Sequence, residues 1–543
     1  MSTSRIKART ARDQGEPAPL LVTNAKVLAN FLEDAAHYPG GHAPSLAEPR
    51  SESDIVKLLA KTKRILPVGA QSSLTGGATP MGEMVLSTAQ LTSIVDVGPT
   101  AIRVGAGVPL SVLQKNLNQK GQYYPPVPTF TGAFAGGVVA TNAAGAATYK
   151  YGSTRDWVCA LTVVLASGDV LDIVRGEVLA HPSGYFEIEG SKGTIRIPVP
   201  TYEMPKVSKR SAGYFALPCM DLIDLFIGSE GTLGIITEVT FRLLPQVPIT
   251  CWALVPAVNE EQALGLTTKL RAASQQTWHS RDPHGINVTA IEYMDRRCLR
   301  LLSEDGSDRK NAIVLRTNAE ALLLAQIELP VGTPISTEYL YNEIGSALSQ
   351  NAPDTALVRL CRLFHTSDVL DQVELALPDD HRRVAQFLGI REAVPEAINR
   401  RVGIVKRTTD MAIEKTAADM IVPFSCLRES LDIYRDGFER RGLDYALWGH
   451  ISDGNLHPNL IPQSTEDVQR GKEAILEFGR EIVRLHGCPL AEHGVGRNPV
   501  KQALLKQLYG ENGIEQMRKV KEALDPNGKL APGVLFPECG NET

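Results

Sequence analysis

Ile65-Leu66-Pro67-Val68, running straight into Gly69-Ala70-Gln71-Ser72-Ser73-Leu74-Thr75-Gly76-Gly77, reads as a short apolar strand that opens into a loop of small residues. Small side chains let successive backbone N–H groups close on a phosphate as a nest of donors. Upstream, Ser51 or Ser53 caps a helix that reaches about Thr62. Downstream, Thr131 to Gly145 forms a second small-residue tract, Thr-Gly-Ala-Phe-Ala-Gly-Gly-Val-Val-Ala-Thr-Asn-Ala-Ala-Gly. Tyr151-Gly152-Ser153-Thr154-Arg155-Asp156 then leads to a strand from Val158 to Leu165. A third tract, Gly228-Ser229-Glu230-Gly231-Thr232-Leu233-Gly234-Ile235-Ile236-Thr237, enters a strand that continues through Phe241. Three such tracts, each joined to a strand, point to a long ligand that touches backbone at several places. No GxGxxG opens a helix, and Val108-Pro109 follows Gly105-Ala106-Gly107, which disfavours a nicotinamide-binding dehydrogenase. No Gly-Lys-Ser/Thr is present for a P-loop here.

The surrounding chain is that of an ordinary globular protein. Its 543 residues call for two or three domains, since single cores stop growing well below that length. A net charge of −5, with no basic stripe carrying interleaved aromatics, argues against nucleic acid as a partner. No apolar run approaches the roughly 20 residues of a transmembrane helix. The cysteines (159, 219, 251, 298, 361, 426, 488 and 539) contain no CxxC pair, which excludes the usual spacing for iron–sulfur clusters or structural zinc. Scattered thiols fit a reducing, cytoplasmic compartment. Arg5, Lys7, Arg9 and Arg12 without an acid are compatible with a mitochondrial presequence or a flexible bacterial N-terminus, and residues 1–20 read as frayed.

Beyond Pro245 glycine thins and helices alternate with strands such as Thr289 to Met294. Glu466 to His486 reads as an amphipathic helix with Gly487 as its left-handed stop. Between them lies Gly449-His450-Ile451-Ser452-Asp453-Gly454-Asn455-Leu456-His457-Pro458-Asn459. Asp453-Gly454 predicts a two-residue hairpin turn. That register pairs Ser452 with Asn455, Ile451 with Leu456 and His450 with His457, and puts Trp448 and Asn459 on the histidine face. Directly opposed residues hold their Cβ atoms about 4.5–5.5 Å apart. Two imidazoles so held are half of a metal site that a carboxylate from elsewhere would complete.

The three tracts resemble the FAD-binding domain of the vanillyl-alcohol oxidase / p-cresol methylhydroxylase superfamily. From Pro49 to Phe536 the ordering is similar to its branch of FAD-linked 2-hydroxyacid dehydrogenases, which act on D-lactate, glycolate or D-2-hydroxyglutarate. The resemblance implies an α+β fold. It places a two-subdomain FAD-binding domain at 41–246 behind an extension at 1–40. A substrate or cap domain follows at 247–486, and a C-terminal segment at 487–543 returns to the flavin domain. FAD would be held without a covalent link, since no histidine or cysteine lies within the tracts. Pro67, Gly69, Ala70, Gln71, Ser72, Ser73, Thr75 and Gly76 would line the pyrophosphate and isoalloxazine. Thr131, Gly132, Gly136, Gly137, Thr141, Asn142, Gly145, Tyr151 and Gly152 would share that wall. Glu230, Gly231, Gly234, Ile235 and Ile236 would meet the adenine–ribose side.

For the chemistry, the resemblance matches Glu492-His493-Gly494-Val495-Gly496-Arg497 to a Glu-His pair that follows the histidine hairpin. It makes His450, His457 and Glu492 ligands of a divalent metal, zinc, manganese or iron. It makes His493 the general base, and Arg391, Lys415 and Asn459 the substrate-binding residues. Two positions depart from the pattern. Ser452 stands where the family usually has glycine, and Pro395 stands where a threonine would help to bind a dicarboxylate. The loss at Pro395 tilts the expectation to D-lactate, with glycolate oxidation beside partner chains or D-2-hydroxyglutarate oxidation as alternatives. A flavin-binding protein without catalysis would break the His450–His457–Glu492–His493 set, which is intact. Alkyl transfer on lipid phosphates would need another histidine-rich segment. Electrons would leave the flavin for a quinone, a cytochrome or an electron-transfer flavoprotein. A homodimer, a peripheral membrane contact and, in a eukaryote, a mitochondrial location are left open.

Overall fold

The structure is a computed structural model, and it describes residues 3–12, 19–126 and 128–538. Cys539 lies outside them. The chain divides into two compact units. The first comprises 1–145, 152–247 and 488–543; the second comprises 146–151 and 248–487.

In the first unit, Ser51 caps the helix Glu52–Lys61 by accepting the Asp54 N–H at 3.2 Å. The chain then enters Ile65–Val68, which pairs in parallel with Met84–Ser87, and Leu46–Ala47 flanks the other side. The C-terminal segment joins this sheet, for Ile65 N–H bonds Lys529 O at 2.8 Å and Ala531 N–H bonds Ile65 O at 2.8 Å. A five-stranded antiparallel sheet runs in the order Ile94–Gly98, Ala101–Gly105, Ile235–Arg242, Val158–Val164, Val170–Val174. Ile55, Leu59, Ile65, Leu86, Val164, Ile235 and Leu530 share one core, which ties both sheets and the returning terminus together. The amino terminus corrects the sequence reading. Arg5–Lys7 is not frayed; it pairs in parallel with Glu187–Glu189, and Arg5 bonds Glu187 and Glu189. Alternating basic residues there meet alternating acids on the neighbouring strand.

The second unit is built on a seven-stranded antiparallel sheet, in the order Glu374–Ala376, Ile249–Ala257, Ala321–Leu329, Asn287–Asp295, Tyr445–His450, Asn455–Leu460, Met420–Ile421. On one face Leu254, Met294, Leu322 and Ala446 pack against Leu301 and Leu302 and against Phe387, Ile390, Val394 and Ile398 of the helix His381–Thr408. The edge strand Met420–Ile421 is two residues long, and a 3-10 turn begins at Phe424. The helix predicted over 466–486 runs Thr465–Arg484. Its left-handed residue is His486, at φ +60°, not Gly487. Gly487 is needed for space instead, because a Cβ there would strike the Ile421 carbonyl oxygen.

Candidate active site

A cavity of about 580 Å³ opens within the first unit. Pro67, residues 69–73 and Thr75 from the first tract line it, with Gly136, Gly137 and Thr141 from the second and Glu230, Gly231, Gly234, Ile235 and Ile236 from the third. Glu492 and His493 complete the wall. A Cβ added at Gly137 would meet nothing within 4 Å, and at Gly69 only ordinary contacts from 3.7 Å outward. At these two glycines the backbone lies open to the cavity, and the wall fits an extended cofactor of the FAD type.

Several expected residues stand off the cavity. Gly76 turns at φ +77°, where a Cβ would enter the Tyr38 ring, and Gly152 turns at φ +77° over Asp156. Asn142 accepts the Arg155 N–H at 2.9 Å and so braces the second tract from behind. Thr131, Gly132 and Gly145 do not line the space either. Tyr151 belongs to the second unit, where it bonds Glu328. Pro128, Thr129, Phe130 and Phe134 line the cavity without having been expected; they carry no small-residue signal.

Glu230 sits at φ +51° and accepts the N–H groups of Val495 and Gly496, each at 2.8 Å. One carboxylate therefore pins the turn that carries Glu492 and His493. Burial pushes the Glu230 carboxyl up to about 7, against the downward pull of those two N–H donors. Glu492 is buried, and its Oε1 lies 2.7 Å from Nζ of Lys209, which is fully enclosed. His493 is half-buried at the cavity wall.

In the second unit the histidine hairpin differs from its predicted register. Ile451–Asp453 form a 3-10 turn and Gly454 is left-handed, so the loop takes four residues instead of two. His450 faces Asn455, and His457 faces Trp448. The slip is of two residues, one full side-chain period, so both histidines and Asn459 keep to one face. The rings lie 5.3 Å apart, edge to face, with ligand atoms within 4.8 Å of one another. His450 Nδ1 bonds the buried Glu292 Oε2 at 3.0 Å, and the buried Asp419 Oδ1 lies 3.3 Å from His457 Nδ1. Ser452 is fully buried and accepts the Ile291 N–H at 3.1 Å, which docks the turn on the neighbouring strand.

Arg391 lies in the helix His381–Thr408, which also contains Pro395, and its Nε donates to Glu292 Oε1 at 3.1 Å. Burial pushes the Glu292 carboxyl up, yet Arg391 and His450 outweigh it and hold the group well below the usual carboxylate range. Asn459 is 2% exposed; its Nδ2 donates to His457 O at 3.0 Å, which leaves Oδ1 buried with no hydrogen-bond partner among the described residues. Lys415 is exposed. Sequence reasoning took Glu292 for a plain strand residue and passed over Asp419 and Lys209. Only Glu292 left a signal, as a charge inside an apolar strand.

The first unit thus supplies a glycine-lined cavity and a Glu-His turn pinned by Glu230, and the second, described by itself, supplies two adjacent imidazoles. The pattern described as "FAD linked oxidases, C-terminal domain" matches residues 263–535, half of the chain, and that described as "FAD binding domain" matches residues 43–173. The chain belongs to the FAD linked oxidases and is an FAD-dependent oxidoreductase. Among its relatives is a D-2-hydroxyglutarate dehydrogenase of Xanthomonas citri pv. viticola, 26% identical over 96% of this chain and 95% of that one. A glycolate oxidase subunit of Bacillus subtilis is 26% identical over 90% of this chain and 88% of its own. A D-lactate dehydrogenase of Anaerostipes hadrus is 26% identical over 93% of this chain and 91% of its own. A solved alkyldihydroxyacetonephosphate synthase shares the fold at TM-score 0.57 and 13% identity, with 94% of this chain and 82% of that one covered. No helix among the described residues is long and apolar enough to cross a membrane.

Proposed function

We propose that the protein oxidises a short D-2-hydroxyacid, D-lactate in first place, to the 2-oxoacid, in a reaction that needs FAD and a divalent metal. The observation that carries this reading is the cavity whose wall joins all three glycine tracts to Glu492 and His493. When bound, FAD supplies the hydride acceptor and the metal supplies Lewis acidity towards the hydroxyl. His450, His457 and Glu492 would hold the metal, a donor set of two imidazoles and a carboxylate that suits zinc, manganese or iron. The His450 imidazole fits that part, since its Nδ1 already bonds a carboxylate, as metal-bound histidines do. His493 takes the hydroxyl proton, a task for a group that titrates near neutral pH.

Asn459 presents an acceptor. The bond from Nδ2 to His457 O fixes the amide, so Oδ1 can take only a donor. Arg391 and Lys415 would hold the carboxylate. Pro395 offers neither N–H nor hydroxyl to a second carboxylate, which favours D-lactate or glycolate over 2-hydroxyglutarate. Electrons would pass on to a quinone, a cytochrome or an electron-transfer flavoprotein. Turnover with an artificial dye acceptor and a panel of D- and L-2-hydroxyacids tests the reading. D-lactate is expected to lead, and His493→Ala to cost about 10²–10⁴ in rate with FAD retained. An unchanged rate in His493→Ala would remove the base from the scheme.

A further inference from the structure

We propose that Glu292 is the positioning residue of the histidine hairpin, through its bond to His450 Nδ1. The inference rests on the metal reading above. Glu292 and His450 are directly opposed on adjacent antiparallel strands, so the backbone register itself places the two side chains on one face. A carboxylate can only accept, so the Nδ1 that lies 3.0 Å from Glu292 Oε2 is the nitrogen that carries the proton. The lone pair of the neutral ring is then on Nε2, and this nitrogen alone can bind a metal. The other carboxylate oxygen is held by Arg391 Nε at 3.1 Å, so neither oxygen is left to wander. With Glu292 6% exposed and His450 2% exposed, water does not compete for the pair.

The same strand also carries the hairpin turn. Ile291, next to Glu292, gives its N–H to Ser452 Oγ at 3.1 Å. The residue that departs from the family pattern thus locks the histidine turn to the strand that bears its orienting carboxylate. Across the face, Asp419 meets His457 Nδ1 and is itself held by Asn455 Nδ2 at 2.9 Å. Arg391, expected to serve only the substrate, has a second task here: a guanidinium carries five N–H donors, so a bond to Glu292 is compatible with a carboxylate at its other donors.

The test is metal affinity of the full-length FAD-loaded chain, stripped and then titrated with Zn²⁺ against a chromophoric chelator. Glu292→Gln keeps the shape and removes the charge; FAD content and melting temperature report its fold. Affinity is expected to fall about 10–100-fold, with FAD content unchanged and partial recovery in Glu292→Asp. Parent-like affinity in Glu292→Gln, beside weakened binding in His450→Ala, would overturn the positioning role and leave the metal reading standing. A parent chain that binds no Zn²⁺, or His450→Ala and His457→Ala variants that bind it like the parent, would remove the metal reading and this proposal with it. Should Glu292→Gln not fold, Arg391→Gln answers instead: a smaller fall in affinity is expected, and no fall would overturn the role.

Discussion

Glu230 is the residue whose titration reaches furthest into the site. Its carboxyl, raised by burial to about 7, is protonated in the folded chain over a range where the unfolded chain, near 4.5, has already released the proton. The folded state then binds more protons, so this group's contribution to stability is present at low pH and is lost as pH rises from about 4.5 to about 7. Glu230→Gln removes that titration. Urea unfolding across this range should show the parent losing stability relative to Glu230→Gln as pH rises; parallel curves would contradict the assignment. Asn459 offers a second residue-scale outcome. Asn459→Ala should lower kcat/KM for D-lactate about tenfold or more, the order expected when a buried polar contact to the substrate is lost, with FAD and metal content unchanged. At this scale the sequence shows residues whose types are rare together, such as His450, His457, Glu492 and His493. It hides Asp419 and Lys209, because each matters only through a partner far along the chain, and of Glu292 it shows only a charge inside an apolar strand.

At the scale of elements, the hairpin shows what local sequence rules can and cannot supply. Asp453-Gly454 does mark the turn, and Gly454 does adopt the left-handed conformation, at φ +85°. The loop nevertheless grows to four residues, because Ser452 is drawn into the interior to bond Ile291, a contact no local rule contains. Since the slip is a whole period of two, the face assignment survives the wrong register. Gly454→Ala should therefore be costly, by about 2 kcal/mol or more, from left-handed strain and from a Cβ forced against the Val422 carbonyl. Chemical denaturation would show it, and the same change should weaken Zn²⁺ binding. The helix end at His486 teaches the converse. Gly487 looked like the left-handed residue, yet its missing Cβ serves close packing on Ile421.

For the whole molecule, three glycine tracts separated by long stretches of chain gather around one cavity of a single compact unit, and the carboxyl-terminal segment returns to that unit with Glu492 and His493. That gathering was legible, because each tract is attached to a strand and the strands assemble into sheets. The ordered amino-terminal strand was not, since its pairing depends on charges near residue 187. The central claim is that FAD and a divalent metal act together on a D-2-hydroxyacid. The most direct measurement is anaerobic bleaching of the flavin absorbance on mixing with D-lactate, before and after chelation and again after a metal is restored. Bleaching that stops with chelator and returns with metal is the predicted result. No bleaching by any D-2-hydroxyacid, with FAD bound and metal present, would contradict the account.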